Sequence, residues 1–286
     1  MKDPAHTKSV TLLLLAAICW SLGGVLIKWV QWPPLAVASG RGLIAALFLA
    51  AVCFRRLHFT WSPVQLGAAL AYALTTVTFV AATKLTTAAN AILIQYTAPV
   101  WVALLGAWFL HEHPRPGDWT VMGLVFAGMG IFLYDGLRFS GLLGNLLAIS
   151  SGVTFAALVL LLRKQKDGSP IESIILGNVL AFLIGLPWLV QAPAMPADSW
   201  IALGALGTVQ LGISYLLYAK AVKHVTALEA VLIPVIEPIL NPIWVMLVLG
   251  EKPTGLALLG GAVVIGAVTW RAASSIRRPP PEVLPG

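Results

Sequence analysis

The sequence predicts an all-α polytopic membrane protein, with ten transmembrane helices arranged as two inverted five-helix repeats. Composition is the first ground. The 286 residues are 59% hydrophobic and 10% charged, and mean hydropathy is +0.89, a balance that soluble domains do not keep. The second ground is length: apolar runs of about twenty residues recur along the chain, enough to cross a ~30 Å hydrocarbon core at ~1.5 Å per residue. The third is an internal repeat, in which a shift of 139 residues, Pro99 onto Pro238, lays the fourth run on the ninth.

The first run, Thr11–Val30, follows Lys2 and Lys8. It is long for a signal-peptide core and no small-residue cleavage site follows, so it is expected to be a retained span. Leu35–Phe54 is the second, entered through Trp32-Pro33-Pro34 and closed by Arg55 and Arg56. The third and fourth are Val64–Thr83 and Ala88–Leu110, with a turn at His111-Glu112-His113-Pro114 before the fifth, Trp119–Tyr134. The sixth, Leu142–Leu162, ends at Arg163-Lys164-Gln165-Lys166. Then come Pro170–Val190, Trp200–Ala219, Ala227–Leu249 and Leu256–Trp270. Residues 1–137 and 138–272 thus form the two repeats, and residues 273–286, with Pro279-Pro280-Pro281, are expected to be a disordered cytoplasmic tail. Cys19 and Cys53 fall inside apolar runs, so no disulfide framework is expected.

Charge sets the expected orientation. With the N-terminus in the cytoplasm, 13 of the 18 Lys and Arg lie in inner loops and tails, 4 (Lys28, Lys84, Arg138 and Lys252) lie outside, and Arg41 falls within a span. The positive-inside rule then puts both termini in the cytoplasm of a bacterial-type inner membrane. The net charge of +7 marks topology; without a basic stripe it is no footprint for nucleic acid.

The repeat pairs Thr87 with Thr226, Ala91 with Ala230, Leu93 with Leu232, and Leu110, Glu112 and Pro114 with Leu249, Glu251 and Pro253. Each half holds five runs, an odd number, so the second half enters from the opposite side and the duplication becomes an inverted repeat. The ninth run carries Pro234, Pro238 and Pro242 at four-residue spacing. Each proline lacks an N–H and crowds the carbonyl four residues back. The carbonyls of Ala230, Pro234 and Pro238 must therefore face protein or a water-filled path. Glu237 and Asn241 lie on a neighbouring stripe, and a mid-membrane carboxylate is a functional candidate. Equally, Glu237 serves as a neutral acid bonded within a kinked helix.

These segments resemble the EamA-type members of the drug/metabolite transporter superfamily. The resemblance rests on T-T-A-A-N-A-I-L-I-Q-Y-T-A-P at Thr86–Pro99, V-T-A-L-E-A-V-L-I-P-V-I-E-P at Val225–Pro238, the L-x-E-x-P endings at Leu110–Pro114 and Leu249–Pro253, and Arg41. It covers about Leu12 to Trp270. Cys19-Trp20-Ser21-Leu22-Gly23 departs from the family's A-x-x-W-G-x-x, keeping the tryptophan but replacing the glycine by Ser21. The resemblance implies ten helices in two inverted halves and, within the superfamily, export of aromatic and other neutral amino acids.

Polar and aromatic residues at mid-depth make natural cavity walls. The expected substrate-binding set is Trp20, Tyr72, Thr76, Gln95, Tyr96, Trp101, Gln210, Tyr215, Glu237 and Asn241, and the same spans with the sixth also offer Ser21, Thr75, Asn90, Asn145, Ser150, Ser151 and Phe155 as wall residues. Pro99, Pro234, Pro238 and Pro242 are the expected hinges. Arg41 and Glu237 are the buried charges. Arg41 has three open roles: it snorkels to the outer interface, pairs with Glu237, or holds a substrate carboxylate. Glu229 is expected to open the ninth helix. Gly123-x-x-x-Ala127 and Ala262-x-x-x-Gly266 suit close packing of the fifth and tenth spans or a dimer face.

The function expected is secondary transport of a small organic metabolite by alternating access between the repeats. The expected partners are that small molecule and the bilayer, the chain being a monomer or homodimer. No cofactor, metal or catalytic group is expected: His111-x-His113 lacks further ligands at recognisable spacing, and no phosphate loop or nucleophile elbow is present. A membrane-embedded enzyme on lipid-linked substrates, a channel, and a carrier of a nucleobase or sugar derivative are the alternatives.

Overall fold

A computed structural model describes residues 4–86, 88–134, 141–240, 244 and 255–276. Every regular element among them is helical. The first run is two helices, α1 (Pro4–Ser21) and α2 (Gly23–Trp29), rather than one. They part where Ser21 Oγ donates to the Ile18 carbonyl at 2.6 Å, a side-chain bond that competes with the helical ladder. α3 (Pro34–Cys53) starts on a proline in its first turn, where the missing N–H costs nothing, and ends in a 3₁₀ turn, Phe54–Arg56. α4 (Pro63–Leu85) has Ser62 as N-cap, accepting from the Gln65 N–H at 3.2 Å.

The fourth run breaks into α5 (Ala88–Gln95) and α6 (Ala98–Phe109). α7 (Pro116–Leu133), α8 (Leu142–Lys164) and α9 (Pro170–Val190) follow, the last matching the seventh expected span residue for residue. The eighth is α10 (Ala197–Ala205), a π-helical stretch (Leu206–Ile213) and α11 (Ser214–Ala221). In the ninth, α12 (Ala227–Leu232) opens on a capping box between Thr226 and Glu229, the role expected of Glu229. A 3₁₀ segment, Ile233–Ile236, and a helical turn at 237–240 complete its described part. α13 (Gly255–Ile276) runs past the start of the expected tail at 273, so four of those residues are helical; 277–286 lie outside the described residues, as do Asn241 and Pro242.

Among the described residues, six helical stretches are long and apolar enough to cross a membrane: Pro4–Trp29, Pro34–Arg56, Pro63–Leu85, Leu142–Lys164, Pro170–Val190 and Ala197–Ala221. The fourth and ninth runs instead break at equivalent places. Tyr96-Thr97 shifted by 139 falls on Val235-Ile236, and in both a proline follows within three residues.

The largest packing faces join α4 to α8, α3 to α9, and α7 to α13. Glycines set the closest approaches. A Cβ on Gly185 of α9 would lie 2.2 Å from the Leu35 carbonyl oxygen, and one on Gly177 would lie 2.7 Å from the Tyr72 side chain. The α7–α13 contact is made by Gly128 against Val264 and the Gly260 carbonyl, not by the expected small-residue pairs. Gly123 and Gly266 have no neighbour within 4 Å, and Gly123, Ala127, Ala262 and Gly266 all face outward.

The two ends of the bundle are tied separately. At one end, Arg163 Nε meets Glu112 Oε1 at 2.8 Å while Glu112 Oε2 accepts the Ala227 N–H at 2.7 Å. Arg163 Nη1 also donates to the Lys223 carbonyl at 2.8 Å, and His6 lies 3.4 Å from Glu229. At the other end, Lys84 Nζ donates to the Val30 carbonyl at 2.6 Å and Lys28 Nζ to the Thr86 carbonyl at 2.9 Å. α1 begins at the first end, beside Glu229, whereas α8 begins at the second, where a Cβ on Gly141 would lie 3.0 Å from the Leu85 carbonyl oxygen. The second repeat thus starts from the opposite end of the bundle.

Gly185→Ala is expected to cost about 1–3 kcal/mol, because the new methyl meets backbone that cannot rotate away. Gly123→Ala is expected to be neutral or mildly stabilising, since nothing opposes its methyl and helix propensity favours alanine. Apparent melting temperatures of the two purified variants check the contrast.

Candidate functional site

A cavity lies where the broken fourth and ninth runs face each other, and its walls come from both repeats. The space between its side chains, open mouth included, is about 530 Å³. α1 supplies Trp20, α3 Arg41, α4 Thr75 and Thr76, and α8 Phe155; the break in the fourth run supplies Gln95, Tyr96 and Pro99. The π-helical stretch contributes Gln210, α11 Tyr215, and the 237–240 turn Glu237. Of the expected binding set, Trp20, Thr76, Gln95, Tyr96, Gln210, Tyr215 and Glu237 come together here. Tyr72 stands behind the wall: its ring centroid is 4.7 Å from that of Tyr215, and its hydroxyl donates to Asn178 Oδ1 at 3.2 Å. Trp101 does not line the cavity; it is 37% exposed on α6. Among the hinges, Pro99 lines the cavity, while Pro234 and Pro238 are buried in the broken segment.

Arg41 is 1% exposed, so it does not snorkel. The glycines on either side explain this. A Cβ on Gly42 would lie 2.9 Å from the Asn178 carbonyl oxygen, and one on Gly40 would lie 3.1 Å from Leu203, so α9 and α10 close over the arginine. Nor does it pair with Glu237: among the described residues no carboxylate lies within ion-pair distance of it. Arg41 Nη1 donates to Gln210 Oε1 at 3.2 Å and Nη2 to the Thr76 carbonyl at 2.9 Å, while Nε has no partner among the described residues. A guanidinium carries five N–H donors, so this one retains capacity for a carboxylate.

Its partner Gln210 is aimed by the π-helical stretch. There Thr208 Oγ1 donates to the Gly204 carbonyl at 2.8 Å and Ser214 Oγ to the Gln210 carbonyl, side-chain bonds that loosen the α-helical ladder. π-helical turns concentrate at functional sites because the extra residue redirects a side chain.

Across the cavity, the Tyr96 hydroxyl lies 2.8 Å from Glu237 Oε2 and 2.9 Å from the Pro234 carbonyl oxygen. That carbonyl is the one Pro238 deprives of its helical donor. Tyr96 has one proton to give. With Glu237 ionised, the carboxylate and the carbonyl compete for it. With Glu237 protonated, the acid donates to Tyr96 and Tyr96 donates to Pro234, and all three groups are satisfied. The triad therefore distinguishes the two protonation states of Glu237 by how completely the broken helix is bonded.

Gln95 Nε2 donates to Ser151 Oγ at 2.7 Å, and Ser151 donates to the Thr75 carbonyl at 3.0 Å, tying the fourth run to α8 and α4. The rings of Trp20, Tyr215 and Tyr218 cluster with centroids 5.1 Å from Trp20 to each tyrosine. Sequence reasoning missed Asn178, Tyr218 and Thr154, which hold the walls from behind; Thr154 Oγ1 lies 3.0 Å from Thr75 Oγ1. A lone asparagine in the middle of the seventh apolar run was the available signal for Asn178.

Comparison with known proteins places these features. The model of the EamA-like transporter family matches residues 7–134 and again residues 142–271. An "Uncharacterized transporter YdfC" of Bacillus subtilis (strain 168) is 33% identical over 199 residues, 65% of this chain and 63% of the relative, so the match spans somewhat less than two thirds of that protein. An "Uncharacterized transporter" of Archaeoglobus fulgidus is 28% identical over 213 residues, 72% of this chain and 76% of the relative. A solved structure titled "Crystal structure of protein" shares the fold with a TM-score of 0.76 at 20% identity, covering 94% of this chain and 98% of that one. The two family matches divide the chain where the internal repeat divides it, and the relatives are named as transporters rather than enzymes. The chain belongs to the EamA-like transporter family.

Proposed function

We propose that the chain is a secondary transporter of neutral amino acids, aromatic ones among them, working by alternating access between its two repeats. In this reading it spans a bacterial-type inner membrane ten times with both termini in the cytoplasm, and it exports its substrate. The overall pattern resembles the amino-acid exporter YddG.

The observation that carries the proposal is the complementarity of one cavity to a zwitterion. Arg41 offers unused donors to a carboxylate, Glu237 offers a carboxyl to an ammonium group, and Trp20, Phe155 and Tyr215 offer apolar faces to a side chain. Small-molecule sites combine mainly apolar walls with a few convergent polar groups in this way. A polyanion such as a sugar phosphate finds a single cavity arginine here and a carboxyl besides. Proton coupling enters through the Glu237–Tyr96–Pro234 triad: loss of the proton takes a hydrogen bond from the broken ninth run, and its return restores that bond.

Uptake and efflux of labelled solutes in proteoliposomes test the reading. Saturable flux of phenylalanine and tryptophan is expected; movement of sugar phosphates without aromatic amino acids would falsify it. Arg41→Lys keeps the charge but loses the planar fork, so KM for the amino acid is expected to rise about tenfold or more. Glu237→Gln is expected to lower flux and flatten its pH dependence, since the group that gains and loses the proton is gone. Tyr96→Phe leaves the Pro234 carbonyl without its donor. A cost of about 1–3 kcal/mol is expected in the stability of this arrangement, read as a lower melting temperature.

Orientation has its own test. In a chain with Cys19 and Cys53 replaced, a single cysteine at Asp167 is expected to react with a membrane-impermeant maleimide only from the cytoplasm, and one at Ala194 only from outside. The reverse pattern would invert the proposed topology.

A further inference from the structure

A second cavity lies at the Arg163–Glu112 end of the bundle, away from the central one. Its space, open mouth included, is about 1360 Å³. Three elements meet there: the end of α3 with its 3₁₀ turn, the first turn of α9, and the end of α11 with the residues after it. Four cations line it, Arg55, Arg56, Lys220 and Lys223. Arg55, Arg56 and Lys220 are exposed, and among the described residues no carboxylate lies within ion-pair distance of any of the four. Lys223 Nζ donates to the Gly168 carbonyl. The nearby acid, Glu172, is fully buried and turned toward the backbone, accepting the His58 N–H at 2.8 Å on Oε1.

Apolar wall comes from Val52, Phe54, Ile171 and Leu216, beside Cys53 and Ser169. Phe54 is 78% exposed and Val52 55%. Leu47 and Ala51 on α3 and Phe54 at the start of its 3₁₀ turn follow at four and three residues, so they continue one stripe to the helix end. Leu47 is 63% exposed on that stripe. An apolar track thus leads from the middle of α3 directly into a nest of cations. The free N–H groups at the start of α9, where Ser169 and Pro170 line the same space, add positive potential.

We infer that this cavity binds an anionic phospholipid of the bilayer, its phosphate held by Arg55, Arg56 and Lys220 and its acyl chain laid along Phe54, Ala51 and Leu47. Basic pockets between membrane helices on the cytoplasmic side hold acidic head groups in this way. A free phosphate ester would use the cations and leave the apolar track in contact with nothing; a neutral lipid would use the track and leave the cations unmatched. Only a ligand with both parts fits both walls. The bound lipid would join α3 of the first repeat, which carries Arg41, to α9 and α11 of the second, the latter carrying Tyr215. The inference rests on the membrane setting and on that end facing the anionic leaflet, but not on which solute the central cavity carries.

Native mass spectrometry of the delipidated full chain, titrated in micelles with phosphatidylglycerol, phosphatidylcholine or soluble glycerol phosphate, tests it without any transport assay. Phosphatidylglycerol is expected to bind at least tenfold tighter than phosphatidylcholine, with glycerol phosphate neither binding nor competing in the same range. Arg56→Gln with Lys220→Gln is expected to weaken phosphatidylglycerol about 10- to 30-fold. Lys164→Gln with Lys166→Gln, two exposed cations at the same end outside the cavity, is expected to leave it unchanged. Phe54→Ser tests the track and is expected to weaken the lipid severalfold. Equal binding of the two lipids, equal loss in both double variants, or full competition by glycerol phosphate would each overturn the proposal. The last would reassign the cavity to a soluble phosphate ester.

Discussion

A backbone carbonyl without a donor is tolerable in water and expensive in hydrocarbon. Pro238 creates such a carbonyl at Pro234, and the rest of the site follows from how it is satisfied. The donor is Tyr96, which comes from the break in the other repeat. The broken ninth run is therefore completed by a residue from the break in the fourth, and the cavity lies where the two breaks face each other. Glu237 joins the same hydroxyl from the side. A broken run that bonds fully in only one protonation state of its own acid is a two-state element, which the proposed alternating access needs. Of the open roles for Glu237, the geometry keeps the internal hydrogen bond and the cavity-facing carboxyl together rather than choosing between them.

The six long apolar stretches among the described residues were legible in the sequence because each is apolar for about twenty residues and punctuated by proline, glycine or charge. α9 matches its expected limits for this reason. What hydropathy cannot encode is azimuth. Trp101 and Thr76 both lie at mid-depth in apolar runs, yet one is exposed on α6 and the other lines the cavity. Gly123 and Gly128 are five residues apart on α7; the spacing rule favours the first, while the second touches α13. A small-x-x-x-small pattern says that a helix offers a flat face, not that another helix takes it. The break at Ser21-Leu22 and the π-helical stretch escaped detection for a related reason. Neither contains a proline, and both arise from serine or threonine side chains bonding to carbonyls three or four residues back.

Arg41 shows how depth and environment separate. Six residues into its run, an arginine reaches the interface if its helix borders lipid at that height. The chain places glycine before and after it instead, and both glycines serve to bring neighbouring helices against α3. Burial of the guanidinium is thus written in Gly40 and Gly42 more than in Arg41 itself. The cost of burying the charge is offset in part by Gln210 and the Thr76 carbonyl, neither of which neutralises it. Gln210 reaches this position through the π-helical stretch, so a local distortion of the eighth run and a glycine pair in the second converge on one charge.

The repeats are alike in backbone and unlike in chemistry. Under the same 139-residue shift, the two breaks coincide and Pro99 falls on Pro238, but Arg41 falls on Leu180, Tyr96 on Val235 and Gln210 on Ala71. Glu237 has Ala98 as its counterpart. A symmetric cavity would accept a small dipolar solute equally well in two orientations related by the pseudo-twofold axis. With the cation supplied only by the first repeat and the acid only by the second, the cavity has a single polarity, and a zwitterion has one favourable orientation in it. The same asymmetry puts the acid and the carbonyl that competes with it for the Tyr96 hydroxyl both on the ninth run. Duplication thus supplied two breaks that must face each other, and substitution within the duplicate made the space between them electrically directional.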